Sequence, residues 1–241
     1  MAVIHHTTLT PSKLDLLARW LPSQRWWDGT EGEPDLSKRG GFRLDDPNGD
    51  VGIEFMIAAD GSGHEATTYQ IPLTYRGAPL ERAADGLIGT AEHGVLGRRW
   101  IYDGAHDPVL IAQLVALMQG DAQAQAQSQS HTPDHTVTSR PVSGSHVEAV
   151  NSAVSANGPD GTEVRVDTVG NNPGQLAIQI ERILRPATSE VLPGDAGRGY
   201  VIGRPLLFLY AAAASVRIRL ISRAAPSSTR ASSCGAMIDG S

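Results

Sequence analysis

The chain has 241 residues, 40% of them hydrophobic and 19% charged, enough to bury the core of one large or two small domains. Its net charge is −6, with no Lys/Arg-rich run ahead of the tail, which excludes the footprint of a nucleic-acid binder; one cysteine, Cys234, excludes an internal disulfide and a Cys-based zinc site. The N-terminus lacks the basic and apolar regions of a secretory signal, and the longest apolar run, 205–216, is too short to span a bilayer, so the chain reads as cytoplasmic, without membrane contact.

Thr10 and Pro11 supply a capping hydroxyl and a proline whose missing N–H costs nothing, which predicts a helix start. Leu14, Leu17, Ala18 and Leu21 then fall on one helical stripe, and Pro22 ends it. The corner that follows, WLPSQRWW, holds Trp20, Trp26 and Trp27, three of the four tryptophans in a chain with only 5% aromatic residues. Packing accounts for most of this aromatic area. Adjacent residues point opposite ways on an extended chain, so one of Trp26 and Trp27 is expected to be buried and the other to face solvent, where Arg25 can flank it.

Residues 51–58 place Val51, Ile53, Phe55 and Ile57 on one face of a strand, and residues 67–75 do the same with Tyr69, Ile71, Leu73 and Tyr75. The glycines between them predict an antiparallel hairpin. Pro72 cannot donate to a ladder, so an edge position or a break is expected there. The intervening GSGHEA, 61–66, fits a phosphate-loop pattern, but such a loop must open a helix and a strand follows; the hairpin turn is the better reading. A further strand is predicted at 98–102. Asp107-Pro108 and Gly120 then bracket a helix over 108–119, with Leu110, Ile111, Leu114, Val115, Leu117 and Met118 on its apolar face.

Tyr102, Asp103, His106 and Asp107 form the densest polar cluster. A His–Asp pair can carry general acid–base chemistry. Turn formation by Asp103 and helix capping by Asp107 explain the same residues more simply. The histidines are otherwise scattered without ligand spacing, and no metal or cofactor is expected.

Residues 121–146 are rich in Gln, Ser, Thr and Pro and read as a linker. Beyond it, 162–168 and 175–184 alternate as strands. From Gly197 six arginines face one acid, Asp239, and Ala and Ser dominate without period. This tail reads as irregular, either disordered or a frameshifted stretch. The expected fold is α+β: a curved antiparallel sheet packed on helices over 1–120, a linker over 121–146, a small β-rich unit over 147–203, and the irregular tail over 204–241.

LDLLARWLPSQRWW with its following glycine turn, and RRWIYDGAHDPVLIAQLVALMQG, resemble the opening and the closing strand and helix of actinobacterial maltokinase N-terminal cap domains. The chain is similar to stand-alone cap-like proteins, sometimes labelled 1,4-α-glucan branching proteins. The resemblance implies a somewhat cystatin-like cap and a place in trehalose, maltose or α-glucan metabolism. In the kinases the cap leads into the catalytic lobe, and 147–186 resemble its first strands faintly. Where those kinases carry a phosphate-anchoring lysine, this chain places Gln179 between Ile178 and Ile180, and no catalytic-loop or metal-binding motif follows.

The resulting expectation is a non-catalytic binding or regulatory module. Its candidate contact residues are Arg25, Trp26, Trp27, Tyr102, Asp103 and His106, and its partner a glucan-pathway enzyme or sugar kinase. The alternatives are a glucan-active enzyme of branching type, for which no carboxylate pair is evident, and an accessory subunit of a maltokinase-like kinase.

Overall fold

The computed structural model describes residues 8–29, 32–63, 66–129, 131–140, 147–159, 161–169, 174–184, 198–203 and 214–221; for 138–140, 198–203 and 214–221 the backbone alone is described. In chain order the elements are β1 (Leu9–Thr10), α1 (Lys13–Trp20), β2 (Leu36–Leu44), β3 (Gly52–Asp60), β4 (Thr67–Arg76), β5 (Leu87–His93), β6 (Gly97–Asp103) and α2 (Pro108–Gln119). After α2 come β7 (Gln125–Ala126), β8 (Thr138–Arg140), β9 (Ala149–Gly158), β10 (Gly161–Val169), β11 (Gln175–Glu181), β12 (Ile183–Leu184), β13 (Arg198–Gly203) and β14 (Ala214–Ile221).

Two antiparallel sheets result. The first runs β1-β5-β6-β4-β3-β2-β7, with β12 added to β4; the second runs β8-β13-β14-β11-β10-β9. The fold is α+β, as the sequence implies, and the helices sit on opposite faces of the first sheet. On one face Leu16, Leu17 and Leu21 of the α1 region and Trp26 pack against Met56, Ala58, Tyr69, Ile71 and Leu73. On the other face Phe42, Ile53 and Phe55 meet Leu110, Leu114 and Met118 of α2. Val164, Val166, Ile178 and Ile180 of the second sheet belong to this same cluster. Helix α2 is therefore shared: its broad apolar face serves both sheets.

The local chemistry explains the elements. The capping hydroxyl of α1 is Ser12 rather than Thr10, because Thr10 is drawn into β1 opposite Glu92. Ser12 Oγ accepts from the Asp15 amide, and the Asp15 carboxylate accepts from the Ser12 amide, a reciprocal box that satisfies two free donors of the first turn. Helix α2 begins and ends where the sequence places it: Asp107 accepts from the Val109 amide, and Gly120 takes the left-handed conformation at φ 86°.

Strands β3 and β4 form the expected hairpin, in register from Gly52↔Tyr75 to Asp60↔Thr67. His64 and Glu65 of the turn lie outside the described residues. Pro72 occupies a break, not an edge. On its free side β6 pairs with β4 only from Leu73 onward, while β12 pairs only at Thr68 and Tyr69. The Gln70 amide donates across this side to the Arg182 carbonyl at 2.8 Å. The two-residue period of a strand turns the Pro72 nitrogen the same way, into the gap between the two partners, where no donor is needed.

The segment 121–146 carries two short strands: β7 pairs with β2, β8 pairs with β13, and Ala124 is buried. Within the tail, residues 214–221 pair with both β11 and β13. The remainder of the tail, 204–213 and 222–241 with Cys234, lies outside the described residues. Among the described residues no helix is long and apolar enough to cross a membrane.

Candidate functional site

The tryptophan corner and the Asp103 turn, far apart in sequence, meet at the joint between the two sheets. Trp26 is buried; its ring stands edge-on to Trp20 at 5.7 Å and tilts against Tyr69 at 6.0 Å. Trp27 is half-buried and Arg25 is exposed. The Tyr69 hydroxyl accepts from the Asp28 amide at 3.3 Å, and burial pushes that hydroxyl up to about 12.

The residue that closes the joint is Arg182, which is wholly buried. Its Nη2 donates to both carboxylate oxygens of Asp103, at 2.8 and 2.6 Å, and its Nε donates to Thr162 Oγ1 at 2.8 Å. The chain of bonds continues outward: Thr162 donates to Asn157 Oδ1, and Asn157 donates to Gln24 Oε1 beside the tryptophan corner. The Arg182 guanidinium also lies 5.0 Å from the Trp26 ring. A buried charge needs a partner to be tolerated, and here the single residue linking β11 to β12 meets the carboxylate of Asp103.

The Asp103 turn does several jobs at once. Asp103 also accepts from the Ala105 amide, and Tyr102 Oη accepts from the Leu80 amide at 2.8 Å. Asp107 takes two bonds from Arg76, each 2.7 Å, while capping α2. Both aspartates of the cluster are thus held by arginines. His106 packs against Gly86, where an added Cβ would meet the His106 Cβ at 2.6 Å. The geometry makes the cluster a brace. Of the residues singled out from sequence, Trp26, Tyr102 and Asp103 are interior, whereas Arg25, Trp27 and His106 reach the surface. Asp103 and Trp26 share a partner in Arg182; Arg25 takes no part in the network.

A second polar centre was not anticipated. Glu54 is buried on the α1 face of the first sheet and accepts from Lys13 Nζ at 2.5 Å, Tyr75 Oη at 2.7 Å and Gln127 Nε2 at 2.5 Å. Burial pushes its carboxyl up, but Lys13, the Tyr75 bond and the nearby Lys38 together outweigh it and hold the carboxyl below its ordinary range. Burial and the adjacent carboxylate keep Tyr75 protonated well above the usual range for tyrosine. The strand pattern held a clue: Met56 and Ala58 share the phase of Glu54, so both faces of β3 are covered and Glu54 must lie inside. Among the described residues no group of three or more His, Cys, Asp or Glu is placed to hold a metal ion.

Gln179 lies mid-strand in β11, opposite Glu163 of β10 and Arg217 of β14 in register. It is flanked by the buried Ile178 and Ile180.

Residues 20–107 match the family model of the maltokinase N-terminal cap domain. The match lies within the 12–120 span of the two sequence motifs and includes Trp20, Trp26, Trp27, Asp103 and Asp107. No curated protein matches the chain.

Proposed function

We propose that this protein is a non-catalytic, cap-type binding or regulatory module of maltose, trehalose and α-glucan metabolism, and that its partner is a sugar kinase or glucan-active enzyme. The observation that carries the reading is Gln179. The resemblance of 147–186 to the first kinase strands sets it where those kinases carry a phosphate-anchoring lysine, and an amide supplies no positive charge to a transferring phosphoryl group. The cap match supports the metabolic assignment. The commitment of Asp103 and Asp107 to Arg182 and Arg76 supports a holding role for the Asp103–His106–Asp107 cluster.

Contact with the partner falls to the surface members of the corner and the turn, Arg25, Trp27 and His106. Purified protein should neither consume ATP with maltose nor branch amylose, and should bind a purified maltokinase or glucan-active enzyme with an affinity that Arg25→Ala, Trp27→Ala or His106→Ala weakens. Turnover in either assay that Asp103→Asn abolishes would overturn the reading.

A further inference from the structure

Three of the four sheet ends are blunt. The first sheet ends in β1 and β7, two residues each, and the second ends on one side in β8, three residues. The fourth end is different. β9 is ten residues long, and among the described residues its backbone pairs only with β10. Proteins usually protect such an edge with a charge, a proline or a bulge, because its free amides and carbonyls template further pairing. AVNSAVSANG contains no charged residue and no proline. Its one irregularity falls at Asn151, and from Ser152 to Gly158 the strand is in unbroken register with Asp167 to Gly161. Val154, at 69% exposure, is the most exposed large hydrophobic side chain described, and Ala156 is exposed on the same face. The inner face, by contrast, is committed: Ser155 Oγ bonds the Ala105 carbonyl and Asn157 bonds Gln24.

We propose that the edge of β9 left unpaired among the described residues is a homodimer interface, paired antiparallel with β9 of a second copy of this chain. The choice of occupant follows from symmetry. In a two-fold antiparallel pair every residue meets its mirror position, so any off-centre charge needs an opposite charge at a fixed distance. A strand without charges meets this condition at once. With the axis at Ser155, Val154 faces Ala156, Ala153 faces Asn157 and Ser152 faces Gly158, all small and uncharged. The two exposed apolar side chains then cover each other on the outer face, and the free backbone groups of both edges find partners.

The test uses the full chain. Sedimentation across a wide concentration range should show a monomer–dimer equilibrium. Val154→Lys/Ala156→Lys sets lysine against lysine at both cross-strand positions and should weaken dimerisation by about tenfold or more while leaving the melting temperature of the monomer unchanged. Val154→Glu/Ala156→Glu should do the same. Mixing the two variants should restore a dimer, now of one copy of each, since every lysine faces a glutamate. If one variant fails to fold, the other alone against the native chain still decides. A native chain that stays monomeric, a lysine variant that dimerises as well as the native chain, or a mixture of folded variants that does not associate would each overturn the proposal.

Discussion

The Arg182 guanidinium lies over the Trp26 ring, 5.0 Å from its centre, so the largest buried aromatic side chain described rests on a cation from the link between β11 of the second sheet and β12 of the first. The tryptophan corner is a joint. It closes α1 onto the sheet and at the same time receives β12.

Trp26→Ala should therefore be the costliest of the three tryptophan truncations, at about 3–5 kcal/mol, because it opens a cavity and removes the surface against which Arg182 lies. Trp20→Ala should lie between, and Trp27→Ala should be the mildest. Denaturant titration of the three variants checks the order, and a Trp27→Ala variant less stable than Trp26→Ala would contradict it.

Gly29 supplies an independent check. A Cβ there would stand 2.2 Å from the Trp27 ring. Gly29→Ala should shift Trp27 and change its fluorescence, whereas the ring contacts of Trp26 should survive. An unchanged emission spectrum would show that the corner has more room than the geometry gives it.

Much of this was legible in the sequence, for reasons that can be located. β3, β4 and α2 carry strict alternation or a wide apolar face bracketed by Asp107-Pro108 and Gly120, so local rules suffice. β2 escaped notice because LSKRGGFRL spends its middle on glycines and charges, and β9 shows only through the resemblance of 147–186 to kinase strands because its side chains are small. β14 was hidden by composition, although Val216, Ile218 and Leu220 alternate with arginines. The Asp103–Arg182 pair spans 79 residues, beyond the reach of any local rule. Its trace was nevertheless present: Leu176, Ile178, Ile180 and Leu184 set an inward phase, and Arg182 falls on it. A charge on an apolar phase announces a buried partner without naming it.

The Glu54 centre predicts a pH dependence. Its carboxyl is held below the ordinary range in the folded protein. The unfolded chain therefore binds the proton more readily, and the stabilisation is fully present above the unfolded value of about 4.3 and is lost as pH falls through the lower folded value. Glu54→Gln should cost roughly 1.5–3 kcal/mol near neutral pH, where charge-assisted bonds to Lys13, Tyr75 and Gln127 are lost. The gap between variant and native protein should narrow below about pH 4. A gap that is constant with pH would remove the ion pair from the account.

Sharing of α2 between the sheets has its own consequence. Leu114 is fully buried in the cluster that joins Phe55 of the first sheet to Val166 and Ile178 of the second. Leu114→Ala should cost about 2–5 kcal/mol. Hydrogen exchange should show amide protection falling together in β3 and β10. Loss confined to β3 would mean that the second sheet does not depend on the helix.

The central claim is that a buried Asp103–Arg182 pair fixes the second sheet to the cap, and a double-mutant cycle tests it most directly. Asp103→Asn and Arg182→Met each leave one partner uncompensated in the interior, and each should cost about 3–5 kcal/mol. The double variant should be more stable than the sum of the two losses implies, with a coupling of about 1–3 kcal/mol. Losses that simply add, or an Arg182→Met variant that melts like the native protein, would contradict the claim.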